Sequence, residues 1–262
     1  MNWVFVHGWG MNSAIWQDFP QSCADQNPAY CVNLPGHGGH LWDPAWRDLS
    51  AWANVCLQQA PARAIWVGWS LGGLVALQAA WQAPERVAAL VLMTATPRFV
   101  QAPDWPAAMS VATLAQFHDH LLADPQATLE RFLALQVRGD EQARQRLRNL
   151  RTQLATQPPP VPEALAVGLQ RLAEDDQRPR LPDLQQPLLW LFGERDTLVP
   201  AGVAQSLARC CPNSQHQIIA GAAHAPFLSH PTATLAAIHK FLQKIMSGKQ
   251  GLIQFSDCFR LD

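Results

Sequence analysis

The sequence predicts an α/β fold in which a mostly parallel central sheet carries flanking helices and is interrupted by an inserted helical segment. Two observations predict it. Short apolar runs closed by turn residues alternate with stretches of helical spacing, the pattern of parallel strands buried on both faces and joined by crossover helices. The alternation stops near Arg98 and resumes near Pro187, so a long strand-free stretch sits inside what is otherwise one sheet.

In chain order, residues 3–7 form the first apolar run and end in His7-Gly8-Trp9-Gly10. Residues 30–34 are a weaker strand candidate. The run 64–68 leads directly through Ser70 into a helical stretch, 71–82, and the run 88–94 follows. Between 98 and 183 the chain is rich in Ala, Gln, Leu and Arg. Four helices are expected there, over 114–122, 126–137, 141–154 and 162–173, separated by Asp124-Pro125, Gly139 and Pro158-Pro159-Pro160. Strands are then expected over 187–193 and, more weakly, 215–220, with helices over 201–210 and 233–246. The organisation follows: 1–97 and 184–246 make the sheet-bearing core, 98–183 a helical cap inserted into it, and 247–262 a tail without a clear place in the scheme.

Composition sets limits on function. With 48% hydrophobic residues, 15% charged residues and a net charge of −1, the chain has the make-up of an ordinary globular protein and offers no overall basic field for nucleic acid or membrane surfaces. The six cysteines show no C-x-x-C pair, which reads as reduced thiols in a cytoplasmic protein. No basic leader opens the chain and no apolar run reaches membrane-spanning length. No metal is expected, because no His and carboxylate spacing matches a metal site, and no cofactor is expected, because the serine chemistry read below needs none.

The chemistry is expected at Gly68-Trp69-Ser70-Leu71-Gly72. Between a buried strand and a helix, this G-x-S-x-G pattern is a nucleophile elbow: small residues flank a tight turn that projects the serine hydroxyl above the sheet. A serine hydroxyl needs a base to take its proton, and the base needs an orienting carboxylate, in the chain order Ser, acid, His. Asp196 lies just past the end of the strand 187–193 and precedes an apolar Leu198-Val199-Pro200 that can hold its loop. Glu194 and Asp183 compete for the role. His224, among the small residues Gly221, Ala222, Ala223 and Ala225, is the favoured base, with His230 as runner-up. His118, His120, His216 and His239 read as solvated. The oxyanion of a tetrahedral intermediate requires N–H donors. Leu71, after the nucleophile, supplies one, and Trp9, after the first strand, is chosen for the second. His7 is expected to steady that loop.

Beyond single motifs, His7-Gly8-Trp9-Gly10, the elbow with its continuation Gly73-Leu74-Val75-Ala76, Pro84-Glu85-Arg86-Val87, the stretch Glu130 to Gln136 and Ala222-Ala223-His224-Ala225-Pro226-Phe227 together resemble one family. That family is the pimeloyl-[acyl-carrier protein] methyl ester esterases of biotin synthesis, within the α/β-hydrolase superfamily. The likeness extends to about Met246. The resemblance implies an α/β-hydrolase fold with an inserted four-helix cap and hydrolysis of the methyl ester of pimeloyl-acyl-carrier protein. It also implies the triad Ser70, Asp196 and His224, and an acyl chain running past Trp9, Leu71 and Phe132, Leu133, Ala134, Leu135 and Gln136. Cap arginines that meet the acidic carrier protein would be Arg131, Arg144 and Arg148. The residues by themselves add Arg151 on the same helical face as Arg144 and Arg148, with Arg138 and Arg146 nearby and Asp140 and Glu141 as partial screening.

Two departures and two alternatives accompany this reading. The chain starts directly at the strand before His7, so the sheet is expected to be shorter at that edge than in relatives, and the tail is unlike the family pattern. A broad carboxylesterase or carbon–carbon bond hydrolase could use the same triad, and a non-catalytic ligand receptor could share the fold. The enzyme is expected to act as a monomer.

Overall fold

A computed structural model of the chain describes residues 1–137 and 143–247. Arg138, Gly139, Asp140, Glu141, Cys258 and the tail from residue 248 lie outside the described residues.

Among the described residues six strands form one sheet: β1 Asn2–Val6, β2 Ala29–Val32, β3 Ala64–Trp69, β4 Val87–Met93, β5 Leu188–Gly193 and β6 Gln215–Ile219. All neighbouring pairs are parallel, in the order β2-β1-β3-β4-β5-β6. The four inner strands are almost wholly buried, which is why they read as unbroken apolar runs. The weaker signals belong to the edges. In β2 Tyr30 and Cys31 are exposed, and in β6 His216, Gln217 and Ile218 are, so polar residues dilute the pattern there.

The helices are α1 Phe19–Ala24, α2 Leu49–Gln59, α3 Leu71–Gln82, α4 Val111–Ala123, α5 Pro125–Gln136, α6 Ala143–Leu154, α7 Pro162–Glu174, α8 Val203–Cys210, α9 Pro226–Ser229 and α10 Pro231–Ser247. Local chemistry sets several of the starts. Asp124 accepts from the Ala127 N–H and Pro125 occupies the first turn of α5, while Ser110 accepts from the Thr113 N–H at the head of α4. Three of these helices, α1, α2 and the short α9, lie outside the sequence expectation. The signal for α2 is Asp48, whose carboxylate accepts from the Ala51 N–H as an N-cap.

The strand order reverses beside β1, because the chain passes from β1 outward to β2 and then returns to β3 on the other side. In open parallel sheets such a reversal opens a crevice at the carboxyl ends of the strands. The segments after β1, β3, β5 and β6 all emerge at that end.

Helices α4 to α7 are inserted between β4 and β5. An Arg98–Asp176 ion pair of 3.1 Å joins the two ends of this segment. Its far side is tied to the loops above the sheet: the Val161 N–H donates to Gly36 O, Asn12 Nδ2 to Leu154 O and Gln157 Nε2 to Ser13 Oγ. No helix among the described residues is long and apolar enough to cross a membrane.

Candidate active site

Glycine sterics build the elbow. A Cβ on Gly68 would lie 2.5 Å from Gly72 O, and one on Gly72 would lie 2.3 Å from Val6 O, so neither position admits a side chain. The turn forces Ser70 to φ 54° and ψ −122°, a conformation unusual for a non-glycine residue. Its N–H donates to Met93 O and its C=O accepts from the Gly73 N–H, which anchor the strained residue on both sides.

The later chain converges on this serine. His224 Nε2 lies 3.0 Å from Ser70 Oγ, and His224 Nδ1 lies 2.8 Å from Asp196 Oδ2. Because a carboxylate only accepts, the histidine proton belongs on Nδ1, leaving Nε2 to accept from the hydroxyl. The other oxygen of Asp196 accepts from the N–H groups of Leu198 and Val199 at 2.8 and 3.1 Å. The apolar Leu198-Val199 segment therefore holds the carboxylate by its main chain. Ser70, His224 and Asp196 are 3%, 2% and 6% exposed, so bulk water screens these contacts weakly.

The competing residues are engaged elsewhere. Glu194 is exposed and accepts from the Gly221 N–H, and Asp183 is exposed on a short 3-10 turn. His230 pairs with Ser229 Oγ just before α10. His118, His120, His216 and His239 are not buried.

Trp9 follows β1 and Leu71 follows the adjacent β3, and both side chains lie beside Gly168 of α7. Among the described residues neither main-chain N–H has a hydrogen-bond acceptor, as a pair of donors waiting for an anion requires. His7 fastens the loop. Its Nε2 accepts from the Leu34 N–H at 3.1 Å, so the proton sits on Nδ1 and is donated to Gly8 O at 2.8 Å. That carbonyl and the Trp9 N–H belong to one peptide unit. Burial lowers the His7 pKa from the usual 6.5 to about 3, helped by neighbouring His37, and the ring stays neutral near pH 7.

The inserted helices form the far wall. The Trp9 indole N–H donates to Leu165 O of α7 at 2.8 Å, and its ring packs edge-on against Phe132 of α5. Phe132 also lies edge-on to His224, with centroids 6.4 Å apart. A helix turns about 100° per residue, so the five residues from Phe132 to Gln136 cannot share one face. Phe132 and Gln136, one turn apart, are buried, Leu135 is half-buried and Ala134 is exposed. Leu133 lines a cavity of about 480 Å³ with Gly10, Met11, Leu129 and Leu154. Sequence reasoning missed α7 as part of this wall. The available signal is Gly168, a glycine inside an amphipathic helix, where a Cβ would lie 2.8 Å from Trp9 Cδ1.

The arginines divide. Arg131, Arg144 and Arg148 are exposed, and Arg148 donates to neighbouring Gln145 on its own helix. Arg151 pairs instead with Glu130, and Arg146 turns inward to donate to Leu228 O. Spacing alone puts Arg151 on the face of Arg144 and Arg148, where it is exposed, and foresees neither its partner Glu130 nor the inward turn of Arg146. Among the described residues no group of three or more His, Cys, Asp or Glu side chains could hold a metal ion.

A family model described as alpha/beta hydrolase fold matches residues 4–231. A pimeloyl-[acyl-carrier protein] methyl ester esterase of Photobacterium profundum is 42% identical, covering 92% of this chain and 94% of that protein. The protein of the same name from Pectobacterium carotovorum subsp. carotovorum is 45% identical over 92% and 93% of the two chains. The chain belongs to this esterase family. Among solved structures, a bromoperoxidase from Bacillus anthracis and an esterase from Exiguobacterium antarcticum each superpose with a TM-score of 0.81. They cover 92% and 93% of this chain, and 91% and 92% of their own, at 20% and 18% identity. At that identity they show the α/β-hydrolase fold and nothing finer. Membership of the esterase family places the chain among ester hydrolases of this fold.

Proposed function

We propose that this enzyme hydrolyses the methyl ester of pimeloyl-acyl-carrier protein, releasing methanol and the free terminal carboxylate, with Ser70, His224 and Asp196 as the catalytic residues. The observation that carries the chemistry is the buried chain of contacts from Asp196 through His224 to Ser70. His224 takes the hydroxyl proton as Ser70 Oγ attacks the ester carbonyl. The N–H groups of Leu71 and Trp9 stabilise the oxyanion, and collapse of the intermediate expels methanol with the proton returned by His224. Water then attacks the acyl-enzyme by the same route, and Ser70 is regenerated. All three residues come from one chain, so catalysis needs no second copy.

In this reading residues 98–183 act as a cap over the site, with Phe132 and Trp9 as apolar walls for the acyl chain. Arg131, Arg144 and Arg148 offer an exposed cationic face to the acidic carrier protein. Such exposed charges act mainly on encounter and register.

The test is methanol release from methyl pimeloyl-carrier protein, set beside hydrolysis of p-nitrophenyl acetate. Ser70→Ala should fold normally and lose at least about 10⁴-fold in kcat on both esters. Arg144→Glu with Arg148→Glu should raise KM roughly tenfold for the carrier-bound ester at low salt and leave the small ester unchanged. Wild-type turnover by Ser70→Ala would overturn the triad. Equal behaviour of the charge-reversed variant on both substrates would overturn carrier docking and favour a broad carboxylesterase.

A further inference from the structure

We infer that Thr94 and Trp69 are positioning residues that hold the main chain of His224 in place for proton transfer. The inference rests on the reading of His224 as the general base.

Two buried side chains, Trp69 at the end of β3 and Thr94 just beyond β4, converge on one carbonyl. Thr94 Oγ1 donates to His224 O at 2.7 Å, and Trp69 Nε1 donates to the same oxygen at 2.7 Å. Both lone pairs of that carbonyl are thereby engaged. Among the described residues, these are the only hydrogen bonds made by the His224 main chain. The segment from Gly221 to Ala225 belongs to no strand or helix, so no ladder fixes it. Its position relative to Ser70 depends on contacts of this kind.

The backbone of Thr94 supports a dedicated role. It has φ 42°, and a β-branched residue in the left-handed region is a genuine outlier. Strain of this sort persists where the surroundings over-determine it, and it gathers at functional sites. Here the N–H of Thr94 is held by Leu191 O at 2.7 Å, and the side chain is left pointing at the histidine loop. Trp69 immediately precedes the nucleophile. Its ring lies under Gly8, where a Cβ would approach Trp69 Cε3 to 3.1 Å, and packs against Phe227 just beyond His224. One residue thus joins the elbow, the loop before Trp9 and the base.

Movement of a base by a fraction of an ångström costs turnover more than binding. Thr94→Val is isosteric and keeps the backbone strain but lacks the donor. Its kcat on p-nitrophenyl acetate should fall about tenfold to a hundredfold, with KM within about twofold of wild type. Thr94→Ser, which retains the hydroxyl, should keep at least about half of the wild-type kcat. Trp69→Phe should show the same split between kcat and KM, and it carries the test if Thr94→Val fails to fold. In the valine variant the low-field proton resonance of the His224–Asp196 bond should broaden or shift, which a purely packing role would not produce. A folded Thr94→Val enzyme within about twofold of wild type, or Thr94→Ser as slow as Thr94→Val, would overturn the positioning roles. A wild-type enzyme inert toward both this ester and a fluorophosphonate would instead overturn the reading of His224 and Ser70 on which they rest.

Discussion

Single residues at this site are constrained by backbone contact as much as by chemistry. Gly193 ends β5, and a Cβ there would lie 2.1 Å from Ala223 O and 2.6 Å from Ala222 O. Both obstacles are main-chain atoms of the loop that carries His224, and that loop is bonded back through the Arg195 N–H to Ala222 O at 2.8 Å. Gly193→Ala must therefore push the histidine loop away from the strand end. The expected outcome is a loss of about 1–3 kcal/mol in stability, read by urea denaturation, together with a fall in esterase turnover. Unchanged stability and turnover would mean that the loop has room which the contacts deny. The elbow obeys the same short-range sterics, and this makes Ser70 legible: glycine spacing next to a strand and a helix is a local property of the chain. The choice of Asp196 over Glu194 is less legible. Both lie in one short loop, and only the direction in which each side chain leaves it separates the partner of His224 from the acceptor of the Gly221 N–H.

Elements follow their apolar periods closely where both faces are covered. Helix α3 spans Leu71–Gln82 as the pattern demands, and the inner strands agree with expectation to within a residue or two. Helix α7 shows what periodicity could not express. Gly168 lets it approach Trp9 and Leu71, the two residues assigned to the oxyanion. In an exposed helix, Gly→Ala stabilises by up to about 1 kcal/mol. Here the added methyl would stand 2.8 Å from Trp9 Cδ1 and 3.2 Å from Leu71 Cδ2. The helical gain and the clash offset each other, so Gly168→Ala should change stability by less than about 1 kcal/mol yet slow turnover of the carrier-bound ester. Turnover equal to or faster than wild type would show that α7 does not press on the site. Arg146 carries a similar lesson, since a helical face defines which residues lie together but not which of them reaches across to Leu228 O.

Across the whole molecule, the buried pair His7 and His37 links the loops after β1 and β2 and gives stability a pH dependence. Their rings are 5.4 Å apart and fully buried. Burial lowers His37 from 6.5 to about 4, as it lowers His7 to about 3. Well above pH 6.5 neither the folded nor the unfolded chain is protonated at these rings, and they contribute no slope. Between pH 6.5 and about 4 the unfolded chain binds protons that the folded chain excludes, so stability falls as pH falls. Each histidine contributes up to about 1.4 kcal/mol per pH unit, and the slope fades below about pH 3. Urea midpoints between about pH 7 and 4.5 should decline accordingly, and His37→Gln should make the decline shallower. A flat profile for the wild type would contradict neutral burial of both rings.

By itself the sequence determined the parallel α/β architecture, the inserted helices, the order Ser70, Asp196, His224, and the family. These are encoded in apolar period, glycine placement and motif spacing, all of which act over a few neighbouring residues. Only the tertiary structure decided which arginines face outward and which are bound inward, which residues between Phe132 and Gln136 look into the protein, and that Thr94 and Trp69 grip the carbonyl of His224. Each of those outcomes joins residues far apart in the chain. Their meeting depends on where β1, β3, β4, β5 and β6 release the chain at one end of the sheet, a matter of strand order that no local pattern records.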